Sequence, residues 1–313
     1  MKAAVITSFD HPPRYTDIGD PVPEAPGEML VEVLAAGLHH VTRGRASGAH
    51  YSSTGSPPLV AGVDGVGRGT DGKLRYFVQA PDRLGTMADK TVIEQDHSIE
   101  LPADSDPVTI AAAMNPAMAA WLALRCRVPF RGGQKVLILG ATGSSGSMAV
   151  QVARHLGAAQ VIAAGRDEAR LAGLPALGAT ETVQLEDTRL GKAACDVDVV
   201  LDFVWGEPAA RTMEALLQQR TGRRAPLTWI HIGSMAGEVA PVPGAMLRAA
   251  NLHIVGSGLG SVALRQILEE LPALALEIAR GTFRIEAKAV PLSKVEEAWR
   301  AADHGGARIV FTP

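Results

Sequence analysis

The densest chemistry in the chain lies between residues 136 and 166. Val136-Leu137-Ile138-Leu139 is an unbroken apolar run, read as a strand buried on both faces, and it feeds straight into Gly140-Ala141-Thr142-Gly143-Ser144-Ser145-Gly146. A helical pattern follows over 147–156. In a turn of this kind Gly143 lets the backbone approach a pyrophosphate, and Gly146 lets helix and strand pack closely. The free N–H groups at the helix start carry partial positive charge toward an anion. Ala141, Thr142, Gly143, Ser144, Ser145 and Gly146 are therefore candidate cofactor contacts, with Ala141 standing where a further glycine is usual. The next apolar run, 160–164, ends on Gly165 and Arg166. An acid at that tip would bind ribose hydroxyls. Here a guanidinium stands instead, suited to a 2'-phosphate and to stacking on adenine, so the expected dinucleotide is NADPH rather than NADH. The alternative is that Arg166 is a solvated loop charge, with Asp167 beside it complicating the field.

Three later apolar runs (197–203, 227–232 and 253–256) deliver further residues to one edge if their strands are parallel. That adds Phe203, Val204, Gly233, Ser234, Gly256 and Ser257 to the cofactor candidates. Trp205 is read equally well as ordinary packing. Among groups that move protons, His39 and His40 stand together, and imidazole is the side chain type suited to proton transfer at neutral pH, so either can donate to an acceptor oxygen; the competing reading is two loop imidazoles that pack or face water. Asn115, before Pro116, reads first as a helix cap and second as a hydrogen-bonder to substrate. Arg43 and Arg45, and the cluster Arg220, Arg223 and Arg224, read as solvated loop cations. Cys126 and Cys195 lack an adjacent His or a CxxC partner and read as small buried side chains.

The elements that must carry these groups change in texture along the chain. The first hundred residues hold short strand-like runs (2–6, 29–36, 62–67, 75–78 and 90–94) split by Gly and Pro. From about residue 107 apolar runs alternate with helical patterns, 147–156 and 209–219 among them, as in parallel βαβ units. The tail carries Arg284-Ile285-Glu286-Ala287, a helix-like stretch over 294–303 and a strand over 307–312 that returns to the first half. The expected fold class is α/β in two domains. With 313 residues, 47% hydrophobic and 20% charged, the chain has ample core, and a net charge of -3 gives no pull toward nucleic acid or a lipid surface. The Ala-rich stretch 109–124, interrupted by Asn115-Pro116, reads as a pair of core helices rather than a membrane span. Two cysteines fit a reducing compartment, and the opening apolar run is too short for a signal-peptide core, so the expected location is the cytoplasm.

Met1-Lys2-Ala3, Pro26-Gly27-Glu28-Met29-Leu30-Val31, Ala35-Ala36-Gly37-Leu38, Gly85-Thr86-Met87-Ala88-Asp89, the nucleotide turn and Pro291-Leu292-Ser293-Lys294-Val295-Glu296-Glu297-Ala298 together resemble the medium-chain dehydrogenase/reductase superfamily, within it the zinc-free quinone oxidoreductase branch. The resemblance implies a GroES-like catalytic domain over 1–110, completed by 283–313, and a doubly wound Rossmann domain over 111–282. It also implies a homodimer and a quinone or α,β-unsaturated carbonyl acceptor. In zinc-dependent relatives the metal ligands would fall at positions matching His39, Val63 and Asn115; one imidazole among these cannot build a tight tetrahedral site, so no metal is expected. A four-cysteine structural zinc lobe is ruled out by the cysteine count. Quinone reductases often carry Asn at the position of His39 and Tyr near Gly44, and this chain has neither. The competing readings are an enoyl-thioester reductase and a cofactor-binding protein without turnover that serves as a structural or regulatory partner.

Overall fold

The computed structural model describes residues 1–53, 55–79, 84–186, 188–258, 260–300 and 306–313. In the first stretch the strands are β1 (Lys2–Ile6), β2 (Arg14–Asp17), β3 (Glu28–Gly37), β4 (Leu59–Val60), β5 (Asp64–Gly69), β6 (Leu74–Val78), β7 (Lys90–Glu94) and β8 (Ser98–Glu100), with one short helix, α1 (His40–Ala46), after β3. The long helix α2 (Pro107–Leu122) follows. Then come β9 (Lys135–Leu139), α3 (Ser144–His155), β10 (Gln160–Gly165), α4 (Glu168–Gly173), β11 (Glu181–Gln184), α5 (Leu190–Ala193), β12 (Val199–Asp202), α6 (Gly206–Gln219), β13 (Leu227–His231), α7 (Gly244–Ala249) and β14 (Leu252–Gly256). The chain ends with α8 (Leu264–Ala279), β15 (Ala287–Pro291), α9 (Val295–Arg300) and β16 (Arg308–Thr312). The last part of the helix-like stretch 294–303 lies outside the described residues.

The chain divides into two compact units, one of Met1–Asn115 with Leu268–Pro313 and one of Pro116–Ile267. In the first unit β3 is the hub. It pairs antiparallel with β5, with β7 and with β16, and β15 lies parallel outside β16. Continuing the β3–β5 register past Ala35↔Val66 brings Asp64 opposite the end of β3, and the β5–β6 register (Val66↔Tyr76) puts Tyr76 diagonal to Asp64. Diagonal positions two residues apart share a face of the sheet, so this pairing gathers side chains that are far apart in sequence. The polar strand β2 and the three-residue β8 escape the apolar pattern because their neighbours supply the ladder while their own side chains stay largely at the surface.

The second unit is a six-stranded parallel sheet in the order β11-β10-β9-β12-β13-β14. The order reverses direction between β9 and β12, the switch point outside which ligands bind in open parallel sheets. The inner strands are apolar at nearly every position and buried on both faces, as helices covering a parallel sheet demand. Leu137, Leu139, Ile162, Val200, Met213, Leu216 and Trp229 form much of that core.

One expected break is absent. The stretch 109–124 is not a helix pair: α2 runs on through Asn115 and Pro116, and its last turn widens into a π-turn over Ala123–Arg127. Its start is fixed upstream, where Asp106 accepts the Val108 and Thr109 N–H groups and Pro107 takes the first helical position. Asn115 is thus a half-buried mid-helix residue and not a cap. This segment is long and apolar enough to cross a membrane by composition, and 72% of its most apolar window is buried inside the fold. It is a core helix.

Candidate functional site

In the parallel-sheet unit the turn after β9 is built almost wholly from backbone. Gly140 has φ +84°, and the Gly140 and Ala141 N–H groups both bond the Ala164 carbonyl at 2.9 Å. That ties the turn to the end of β10. A Cβ on Gly146 would lie 2.1 Å from the Gly140 oxygen and 2.7 Å from the Ala141 Cα, so only glycine lets α3 begin this close to its strand. Gly143 is exposed at the N-cap of α3 with no side-chain cap, which leaves the first-turn N–H groups of a twelve-residue helix available to an anion. Thr142, Ser144 and Ser145 are half-buried around it, whereas Ala141 is fully buried and contributes backbone only.

The tip of β10 is filled by a neighbouring side chain. Gly165 does not leave open room: a Cβ there would meet the Thr142 methyl at 2.5 Å, so the threonine side chain fills that space. Arg166 is exposed and has no ion pair or hydrogen bond among the described residues. Asp167 is otherwise engaged. Its carboxylate caps α4 by accepting the Arg170 N–H at 3.1 Å and pairs with the Arg170 guanidinium at 3.2 Å, which offsets its charge toward Arg166.

At the ends of β12 and β13 stands a carboxylate that sequence reading missed. Asp202 is fully buried; its Oδ1 accepts the Val204 and Trp205 N–H groups at 2.8 and 2.9 Å, and its Oδ2 accepts the indole N–H of Trp229 at 2.8 Å. Burial pushes its carboxyl group up, against these donors and the nearby His231. Asp202 shapes the Phe203-Val204-Trp205 turn, in which Phe203 and Val204 are buried. Gly233 lies under the Phe203 carbonyl, the oxygen being 3.2 Å from where a Cβ would sit. The Ser234 hydroxyl is 3.2 Å from His231 Nε2. On the next strand Ser257 N–H bonds the His231 carbonyl, and the exposed Gly256 carbonyl accepts from Arg127. A single Asp closing an apolar run was the only sequence signal for Asp202.

In the β-rich unit the two adjacent histidines separate. His40 is exposed at the start of α1, while His39, at 2% exposure, folds back over the end of β3. A Cβ on Gly37 would lie 2.3 Å from His39 Nε2 and 2.6 Å from the Ala111 carbonyl, so Gly37 makes room for the imidazole. Nε2 stands 3.1 Å from Asp64 Oδ1, a charge contact outside hydrogen-bond alignment. Tyr76 donates its hydroxyl to Asp64 Oδ2 at 2.8 Å, and Thr86 donates to the Asp64 carbonyl at 2.7 Å. Burial and the charge of Asp64 raise the Tyr76 phenol well above its ordinary value. Arg308 reaches back to the Leu38 carbonyl at 3.0 Å and steadies the approach to His39. Asp64 and Tyr76 escaped sequence reading because only strand pairing brings them to the imidazole.

Three arginines read as solvated are committed. Arg43 donates to the Trp299 carbonyl and lies over its ring at 5.3 Å, and Arg45 donates to the Ser52 hydroxyl and the Gln79 carbonyl. Arg220 is buried and bonds the Cys195, Val197 and Pro226 carbonyls. The donors around His39 do not fit a resident zinc ion: Val63 offers no ligand atom, and a tyrosine completes the His39–Asp64 pair. Among the described residues, the one group of three His, Cys, Asp or Glu side chains with ligand atoms in reach of one another is Glu94, Asp96 and His97, away from all three expected ligand positions.

Comparison with known proteins bears on both units. A family model described as zinc-binding dehydrogenase matches residues 146–277, beyond all three positions expected for a catalytic zinc. The chain is 30% identical, over 100% of both sequences, to an Emericella nidulans protein described as "Probable NADPH-dependent quinone reductase". It is 27% identical to the 2-methylene-furan-3-one reductase of Solanum lycopersicum over 60% of this chain and 52% of that one. Among solved structures it resembles the quinone oxidoreductase of Thermus thermophilus, determined alone and with NADPH, at 28% identity and a TM-score of 0.80 with 100% of each chain covered.

Proposed function

Because the chain belongs to the medium-chain dehydrogenase/reductase superfamily, in its quinone oxidoreductase-like branch, we propose that it reduces quinones or α,β-unsaturated carbonyl compounds with NADPH and without zinc. The observation that carries this reading is the glycine-built turn at the head of α3 combined with an uncommitted guanidinium at Arg166. Bound NADPH supplies the hydride, and a conjugated acceptor spreads the negative charge over its own carbonyl, so a proton donor and correct placement suffice.

The residues take the following parts. The Ser144, Ser145 and Gly146 N–H groups hold the pyrophosphate, with Thr142 and Gly143 beside it. Arg166 holds the 2'-phosphate at the tip of β10, flanked by Gly165. The ends of β12, β13 and β14, at Phe203-Val204, Gly233-Ser234 and Gly256-Ser257, line the path of the nicotinamide half. His39 holds the proton for the acceptor oxygen, and the Asp64 carboxylate 3.1 Å away sets a negative charge beside the imidazole. Asn115 offers an amide, and His40, at the surface, is the weaker donor. The outer edge of β14, unpaired among the described residues, supports a homodimer built by a second copy of the chain. The net charge of -3 supports a protein without a nucleic-acid or membrane partner, and the two cysteines support a reducing compartment, the cytoplasm.

Stopped-flow absorbance at the NADPH band, with a panel of quinones and enones and with metal analysis of the same sample, tests this. The expected result is rapid oxidation of NADPH by at least one acceptor class, insensitive to chelators. Tight NADPH binding with no oxidation by any acceptor, or one zinc per chain whose removal abolishes turnover, would overturn it.

A further inference from the structure

The parallel-sheet unit holds two tryptophans within reach of one carboxylate, and only one of them is wholly buried. Trp229 on β13 is wholly buried and gives its indole N–H to Asp202. Trp205, three residues past Asp202, is half-buried, packs only partly on the core, and its indole N–H has no partner among the described residues. Its backbone is also the exception of the described chain: φ +52° and ψ -160°, the single positive φ outside glycine. That region belongs almost entirely to glycine, and other residues persist in it only where the surroundings enforce it. Here the buried carboxylate of Asp202 does so, accepting the Val204 and Trp205 N–H groups.

What the enforced conformation achieves is placement. The Trp205 ring lies against the His231 ring with centroids 4.5 Å apart, and Asp202 and His231 are register partners at the carboxyl ends of adjacent parallel strands. β12 is one of the two strands flanking the switch point of the sheet, so the pair stands on the edge where a ligand must run. His231 is fixed in turn by Ser234 on its Nε2, and Ser257 N–H holds its carbonyl. A glycine would meet the backbone demand at 205 without strain and leave this edge bare. The geometry points to Trp205, backed by His231, as a stacking subsite for a planar electron-poor ring. Indole is electron-rich on its face, and both the oxidised nicotinamide of NADP+ and a quinone are electron-poor and planar, so either ring satisfies the same π chemistry. The inference rests on the proposed NADPH-dependent reductase.

The test compares wild type, Trp205→Gly, Trp205→Phe and His231→Leu by calorimetric titration with NADPH, with NADP+, with adenosine 2',5'-bisphosphate (which keeps the 2'-phosphate and lacks nicotinamide) and with 9,10-phenanthrenequinone. Thermal melting of each variant runs in parallel. Trp205→Gly is expected to melt cooperatively, since glycine suits the backbone there, and to bind the bisphosphate as wild type does. If the ring is the nicotinamide, NADP+ affinity falls about tenfold in Trp205→Gly and recovers in part with Trp205→Phe, the scale of one aromatic stack. If the ring is the acceptor, NADP+ affinity holds and quinone affinity falls by that factor. Should Trp205→Gly fail to fold, His231→Leu, which leaves the strained backbone alone, must still weaken one of the two by about threefold. Unchanged affinity for both NADP+ and quinone in every folded variant overturns the subsite. Wild type that binds no NADPH overturns the proposed function instead, which separates the two failures.

Discussion

The turn at the head of α3 and the surroundings of His39 are built in opposite ways. The first is made of backbone: Gly140 at positive φ, N–H groups bonded to Ala164, and a Gly146 that no side chain could replace. The second is made of side chains from β5, β6 and the loop after β3, converging on one buried carboxylate. A backbone-built site tolerates change in the side chains around it and none in the spacing of its glycines. A side-chain-built site tolerates shifts of the loop as long as its charges stay paired. The prediction is that the first fails through geometry and binding, and the second through protonation and turnover.

The largest effect is expected at Gly146. Replacing it with Val places a Cβ 2.1 Å from the Gly140 oxygen, a backbone atom that cannot swing aside. The helix must back away from the strand, at a cost on the scale of overpacking, about 1–3 kcal/mol. The N–H groups that should meet the pyrophosphate move with it. NADPH affinity should drop by two decades or more, read by calorimetry, with a lower melting temperature. A folded Gly146→Val protein with wild-type NADPH affinity would show that the turn is not the phosphate cradle.

This difference in construction also governs what could be read in the sequence. Strand, glycine turn and helix occupy 22 consecutive residues between Val136 and Gly157, so this strand-turn-helix unit was legible. The same holds for most long apolar strands, where burial on both faces leaves an unmistakable run. His39, Asp64 and Tyr76 are spread over 38 positions and meet only through the β3–β5 and β5–β6 registers, which local pattern does not encode. Asp202 was hidden for a related reason, its partner Trp229 lying on the neighbouring strand. Asn115-Pro116 misled because proline usually ends or starts a helix. Here Asp106 and Pro107 had already fixed the start, and the apolar surface of α2 held the helix through the missing hydrogen bond. Arg166 stands exposed at the tip of β10, and the space beside it belongs to Thr142.

The next effects distinguish turnover from binding. His39→Ala and Asp64→Asn should each slow turnover by about one to two decades, the scale of losing a positioned proton donor, while NADPH affinity stays within about twofold. Steady-state rates against calorimetry decide this, and His40→Ala is the control expected to change neither by more than about twofold. Unchanged turnover in both His39→Ala and Asp64→Asn would make the cluster purely structural. Arg166→Ala should do the reverse, lowering NADPH affinity by about one to two decades, the value of a charge-assisted phosphate pair, with NADH affinity untouched. The gap between the cofactors should narrow in high salt because the guanidinium is exposed. Equal wild-type affinities for the two cofactors would remove Arg166 from that role.

The smallest effect concerns charges in the β-rich unit that lie away from His39. Asp20 bridges Lys90 on β7 at 2.5 Å and the N-terminal ammonium at 2.9 Å, and these two cations lower its carboxyl to about 2. The sign follows from linkage: the folded chain prefers the ionised form, so the stabilisation is complete above the unfolded value of 3.8 and is lost as pH falls toward about 2. Above pH 5 the Asp20→Asn protein should therefore melt slightly below wild type, and the difference should close as the pH is lowered through that window. The pair is at the surface, so the difference should also shrink in high salt at neutral pH. NADPH affinity and turnover should not move, because the bridge ties β1 and β7 through the outside of the unit and touches neither the glycine turn nor the His39 cluster. Thermal melts at stepped pH check the first point and steady-state rates the second. A melting difference that persists unchanged at pH 2 would mean that Asn at position 20 acts through packing or the unfolded chain rather than through the lost charge.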